Sequence, residues 1–458
     1  MENSNIDSTR FLAGKMSFPE IGRMILGIPL NVGFKMPVFA VFFLAFMLFI
    51  LLNIAVTWLF IKGVGIWGIN IPIAWGLAIT NFVWWIGIGH AGTFISAFLY
   101  LLHQEWRASI NRFAETTTLF AVMCAGMFPL LHLGRPQFFY WLLPYPNTMG
   151  LWPQFRSALA WDIFAVGTYF TVSIVFWYTG LIPDLAAARD QAENIWLKRF
   201  YGLLCLGWRG ADTHWQRHKT VYLIMAGLAT PLVVSVHTVV SFDFATTLVP
   251  GWHSTIFPPY FVGGAIFSGF AMVFTLMLPI RKLYRLESII TPAHLDMMSK
   301  IMLTTGLIVG YGYLMETFIA WYSGNFYEWF HIKNQIAGPY GALFVLVLLC
   351  NVFAIQALWF KKVRRDPLTL FVLSIIINIG MWSERFVIVI VSLHRDFVPS
   401  AWRMYFPTIW DWSTLLGSIG LFLLGFLIFF RIFPLIASYE IKDLSAKIQK
   451  RGENEPAE

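Results

Sequence analysis

His132, Asp162 and Asp243 are ionisable residues set in strongly apolar stretches of the chain. A charged side chain in hydrocarbon costs about 2.5 to 3.5 kcal/mol on insertion scales, so such residues mark functional sites by default. Two acids and a histidine at one depth suit proton chemistry, because they can accept protons from a bound hydroxyl and release them to nearby water. Taken singly, His132 also reads as an interfacial or capping histidine, and Asp243 as an acid near a helix end. Asp162 lies deeper in its apolar run and has to find a polar partner.

A second polar set falls nearer the middle of the apolar runs. His90, Thr93, His237, Glu316, Glu384 and Arg385 each read as a structural contact with a neighbouring helix; as a set they could relay protons from the membrane middle to an aqueous face. Glu384 and Arg385 are neighbours in sequence and point about 100° apart on a helix, so they need not pair. His90 and His237 also invite a haem reading, but only one such pair is found. Cys124, Cys205 and Cys350 are isolated, with no paired spacing for zinc or an iron-sulfur cluster, so no metal site is expected.

The elements that position these residues follow from composition. The 458 residues are 58% hydrophobic and 12% charged, which defines an all-α polytopic membrane protein. Apolar runs long enough to span a bilayer as helices occur ten times. They lie at roughly 36–62, 72–102, 108–134, 156–181, 220–246, 256–280, 295–323, 337–360, 367–393 and 412–436. On this reading helix three ends at His132, helix four reaches Asp162 about 9 Å from its start near Arg156, and helix five carries Asp243 in its last turns. Residues 1–35 form an N-terminal tail without the features of a secretory signal, and 437–458 a C-terminal tail. The stretch from Ile195 to Tyr201 reads as an amphipathic segment along the membrane interface.

About 25 of the 32 Lys and Arg residues fall in the tails and in the loops on the side of the tails, which places both ends in the cytoplasm by the positive-inside rule. The formal charge of +8 is then topogenic and attracts anionic lipid; it is not read as nucleic-acid binding. Phosphate-cradling glycine loops, zinc-peptidase motifs and nucleophile elbows have no counterpart in the sequence. A secondary transporter is the rival class, since ten helices with acids at mid-depth suit one too. That reading expects helices broken by Gly or Pro, and Pro231, Pro279 and Pro339 are scattered.

Several segments carry a resemblance. The run from Gly89 to Ala97, the run from Trp106 to Glu115, Phe128 to Pro136, Pro144 to Gly150 and Leu181 to Leu185 resemble the NrfD/PsrC family of quinone-interacting membrane subunits. Within it, they are closest to the branch found in bacterial alternative complex III. The likeness is dense from about 80 to 190 and looser to about 440. It implies two four-helix bundles, helices two to five (72–246) and six to nine (256–393). Helix one (36–71) and helix ten (412–436) then flank them.

The resemblance also implies a menaquinol or ubiquinol oxidation site at the outer end of the first bundle, built on His132, Asp162 and Asp243. His90, Gly92, Thr93 and Arg135 are expected around the quinol, and His237, Glu316, Glu384 and Arg385 along a proton path. The chain itself would bind neither haem nor iron-sulfur cluster. Its expected partners are an iron-sulfur subunit on the periplasmic face, c-type haem subunits, a paralogous NrfD-like membrane subunit and a terminal oxidase, in the bacterial inner membrane. The outer segment from Arg135 to Arg156 is the expected seat of the iron-sulfur subunit.

Overall fold

The computed structural model describes residues 11–14, 16–31, 35–143, 150 and 154–454. These residues are helical, with no strand among them, and ten helices are long and apolar enough to cross a membrane. The spanning helices are α2 (Met36–Lys62), α3 (Gly76–Leu101), α4 (Asn111–His132), α5 (Ala158–Gln191) and α7 (Asp212–Ala245). They continue with α8 (Phe257–Leu283), α9 (Pro292–Tyr322), α11 (Gly341–Trp359), α12 (Pro367–Val391) and α13 (Ile409–Ile432). Four shorter or more polar helices join them: α1 (Phe18–Asn31), α6 (Ile195–Leu204), α10 (Phe326–Ala337) and α14 (Ser438–Asn454).

The packing follows from how completely each helix is apolar. Along α3 and α8 nearly every side chain is buried, and these two helices lie against each other at the centre. α4, α5 and α7 complete one four-helix group with α3, while α9, α11 and α12 complete the other with α8. α2 turns much of its apolar surface outward and lies along α13, as a flanking helix in lipid should. Gly417 and Gly420 make that approach possible, since a Cβ at either would stand 2.5 Å from the Cβ of Leu52 or Leu48. Small residues that let backbones close up are the usual basis of helix pairing where no water is squeezed out.

Both described chain ends lie on one face. α1 packs against α14, and α14 lies beside the turn at Glu105–Ser109. The backbone N–H of Ala13 donates to the carbonyl of Ser288 on that face. The opposite face is tied by other bonds: Gly68 N–H to Asp411 (2.8 Å), Thr408 hydroxyl to the Ile66 carbonyl (2.8 Å) and Gly251 N–H to Glu328 (2.9 Å). Gly251 holds φ +81°, and a Cβ there would stand 2.3 Å from the ring of His331 on α10, so both conformation and space call for glycine.

Three spanning helices contain a widened π turn, at Phe94–Phe98 in α3, Leu349–Phe353 in α11 and Val387–Val391 in α12. Such a turn accommodates one extra residue within an otherwise continuous helix.

The structure corrects the expected boundaries of helices four and five. Each is 34 residues long, about 51 Å against the roughly 30 Å of hydrocarbon. α5 runs on through Pro183 because its extension is held from the side: Asp184 pairs with Arg112 (3.2 Å), and the backbone N–H of Ser438 on α14 donates to Asp184 (3.1 Å). The tails and loops also hold more helix than expected. α1, α10 and α14 are regular, and the segment from Ile195 forms α6, whose first turn Asn194 caps by accepting from the Trp196 N–H at 2.8 Å.

Candidate proton-handling site

α5 and α7 pack along each other, and their ends opposite the chain termini bring two acids together. Asp162 is four residues, about 6 Å, into α5, shallower than expected because the helix begins at Ala158. Asp243 is the third residue from the end of α7. Both are buried, and their carboxyls lie close enough to interact with each other. None of their four oxygens has a hydrogen-bond partner among the described residues. One wall beside them is aromatic: the ring of Phe244 packs against Trp75 (5.7 Å), Trp252 (5.0 Å) and Phe261 (5.6 Å). Two acids kept from water with only each other for company can hold a proton between them and pass it on.

His132 is not part of that pair. It is the last residue of α4, half-buried, with its ring stacked on Trp67 at 6.4 Å and its Nδ1 without a partner. No hydrogen bond or ion pair joins it to Asp162 or Asp243 among the described residues. Arg135 follows it, exposed, at the same end of the bundle. Of the expected trio, the two carboxyls lie together, and no polar bond joins His132 to them among the described residues.

Deeper in the first bundle lies a second cluster, at the seam with the second. The rings of His90 and His237 meet edge to face at 4.7 Å. His90 Nδ1 is bonded to the Ile86 carbonyl at 2.7 Å, leaving its Nε2 and both nitrogens of His237 without partners. A haem ring held between two histidines needs them facing with the macrocycle in the gap, and this contact leaves no such gap. Among the described residues no group of His, Cys, Asp or Glu is arranged to hold a metal ion.

Next to His237 on the other side is Phe261, 5.7 Å away, whose opposite contact is the Arg385 guanidinium 4.2 Å from the ring centroid. Arg385 and Glu384, expected not to need each other, do form an ion pair, at 3.5 Å. The Glu384 carboxyl oxygens and the Arg385 terminal nitrogens have no hydrogen-bond partner among the described residues. Glu316 lies on α9, three residues after Tyr313, and makes no ion pair among the described residues.

Two of the remaining sequence expectations change. Gly92 lines no pocket, since a Cβ there would stand 2.1 Å from the Ala114 carbonyl and 2.0 Å from the Thr118 hydroxyl; the glycine lets α3 and α4 close. His90 and Thr93 also lie well away from the acid pair, 14 and 17 residues along α3 from the Gly76 end, or about 21 and 26 Å. What joins the two levels is Tyr169, a residue outside the expected set. It stands seven residues, two turns, after Asp162 on the buried stripe of α5. Its ring stacks on His90 (5.1 Å), and its hydroxyl bonds Thr93 (2.7 Å) and donates to the Gly89 carbonyl (2.8 Å). The spacing 158, 162, 166, 169, 173, 176, 180 and 184 of buried residues is a helical stripe, and that signal could have picked Tyr169 out.

The described residues form an all-α polytopic membrane fold with a shielded acid pair near one face. Residues 66–395 match the family model described as "Polysulphide reductase, NrfD", and the chain belongs to that family. It is therefore a membrane subunit of a redox family whose members interact with quinones and work with partner redox subunits. Among similar proteins, a putative membrane subunit of dimethyl sulfoxide reductase from Halobacterium salinarum is 28% identical over 209 residues, 45% of this chain and 43% of that protein. A selenate reductase subunit from Mesobacillus selenatarsenatis is 23% identical over 383 residues, 79% of this chain and 86% of that protein. The chain thus spans under half of the first relative's length and most of the second's.

Pro231 and Pro279 lie inside the continuous helices α7 and α8. Half-helices of the kind a transporter places at its binding site are not found among the described spans.

Proposed function

We propose that this chain oxidises quinol at the end of the first bundle opposite the termini, as the ActC-like membrane subunit of an alternative complex III. The observation that carries this reading is the isolated carboxyl pair, Asp162 and Asp243, at that end of a chain of the NrfD family. Oxidation of a quinol breaks two O–H bonds and releases two electrons and two protons. The protons need acceptors hydrogen-bonded to the hydroxyls. Asp243 and Asp162 supply one acceptor as a pair, and His132, with its free Nδ1, supplies the other at the rim. The electrons leave to an iron-sulfur subunit seated on the outer face, then to c-type haems and a terminal oxidase. Menaquinol and ubiquinol both fit this chemistry. The expected seat, Arg135 to Arg156, lies partly outside the described residues.

In this reading the membrane is the bacterial inner membrane, with both termini in the cytoplasm and a paralogous NrfD-like subunit alongside. Protons released at the acid pair enter the periplasm. The cluster of His90, His237, Glu384, Arg385 and Glu316 is the path for any proton moved across the membrane.

The test is quinol oxidation by the complex purified from native membranes. Asp243→Asn and His132→Ala should each slow turnover by about a hundredfold or more, the usual weight of a positioned proton acceptor. Assembled complexes that keep full turnover with either change would remove that residue from the site.

A further inference from the structure

The face that carries both termini holds a cavity of about 720 Å³ between the inner ends of α3 and α7, the turn at Glu105–Ser109, and α14. It is far from the acid pair: His218 on its wall and Asp243 are 25 residues apart on α7, about 37 Å. Its cations are Arg107, Lys219, Lys442 and Lys447, and its acids Glu105, Glu440 and Asp443.

These acids are engaged. Glu440 takes Arg107 at 3.0 Å and accepts from Asn111 at 3.1 Å, and Asp443 takes Lys447 at 2.8 Å. Lys219 and Lys442 make no ion pair among the described residues. Arg107 is 6% exposed, and its Nη1 has no hydrogen-bond partner. A buried guanidinium with an unmet donor is costly unless something fills it. Around the same space stand Tyr100, Trp215, Tyr222 and Tyr439, the residue types that settle at the level of lipid headgroups.

The geometry points to a binding site for an anionic phospholipid, with its phosphate held by Arg107, Lys219 and Lys442. The lipid source, rather than a free phosphate, follows from what lies below. Leu223 lines the cavity, and the adjoining face of α7 leaves Leu223, Ile224 and Leu228 exposed, an apolar track along which acyl chains can lie. Basic pockets between helices on the inner side of membranes are suited to such headgroups. Because α14 supplies Tyr439, Glu440, Lys442 and Lys447 to the wall, the bound lipid fastens the C-terminal helix to the first bundle.

The test uses the intact complex in nanodiscs, comparing phosphatidylglycerol or cardiolipin with phosphatidylcholine, read by lipid retained in native mass spectrometry and by thermal unfolding. The anionic lipid should be retained and raise the unfolding temperature. The Lys219→Gln/Lys442→Gln variant should hold it about thirtyfold more weakly, at the strength two basic residues have toward anionic lipid. Equal stabilisation by phosphatidylcholine, or unchanged retention in the variant, would overturn the site. Stabilisation of the detergent-solubilised complex by inorganic phosphate alone, lost in the same variant, would reassign the pocket to a soluble anion and overturn the lipid.

Discussion

Glu384 and Arg385 show what burial does to a pair of neighbours in sequence. Both are almost fully buried, and the ion pair at 3.5 Å is their one salt bridge among the described residues. Removing one partner from a buried pair strands the other, at about 3 to 5 kcal/mol, whereas replacing both is often neutral. Arg385→Met should therefore lower the unfolding temperature sharply, and adding Glu384→Gln should recover most of the loss. Thermal unfolding of the unaltered chain and the two variants in one detergent checks this. At this scale the sequence showed which groups sit in apolar runs but not which of them meet. Distance along a helix fixes depth, while the direction a side chain points around the helix depends on where neighbouring helices lie. Asp162 and Asp243 could be placed at one level, but their contact, and the separation of His132, needed the packing of α4, α5 and α7.

The elements differ in how plainly they announce themselves. The ten spanning helices were legible because a run of apolar residues has one stable outcome in lipid, where backbone groups must bond within the segment. α10 and α14 were not, since each is short or polar and owes its form to what it packs on. α10 covers the loop at Gly251 on the face opposite the termini, with His331 buried against it. Burial, with His394 nearby, pushes the His331 imidazole down to about 4 from an ordinary 6.5. The folded form therefore binds fewer protons than the unfolded one between these values, so stability falls as pH drops from about 6.5 toward 4 and is level above 6.5. His331→Gln should flatten that slope, which unfolding temperatures measured from pH 4 to 8 would show. An unchanged slope would put the acid sensitivity elsewhere.

Across the whole molecule, buried polar residues of the two four-helix groups gather near the seam between them. His90 and His237 come from the first, Glu384 and Arg385 from the second, which also carries Glu316 on α9. If this seam moves protons across the membrane, Glu316→Gln should lower the ratio of protons translocated to electrons transferred in proteoliposomes while quinol oxidation continues. An unchanged ratio would leave these residues a structural role. The π turn at Val387–Val391 begins two residues after Arg385, and the one at Phe94–Phe98 directly after Thr93. Each marks a place where the gene can lose a codon and keep its helix, because deletion returns the turn to ordinary α geometry. The cost is a rotation of about 100° for everything on one side of the turn relative to the other. A one-residue deletion there would let the protein insert and span while turning His90 or Arg385 away from the seam, a frame error written in angle instead of in reading frame.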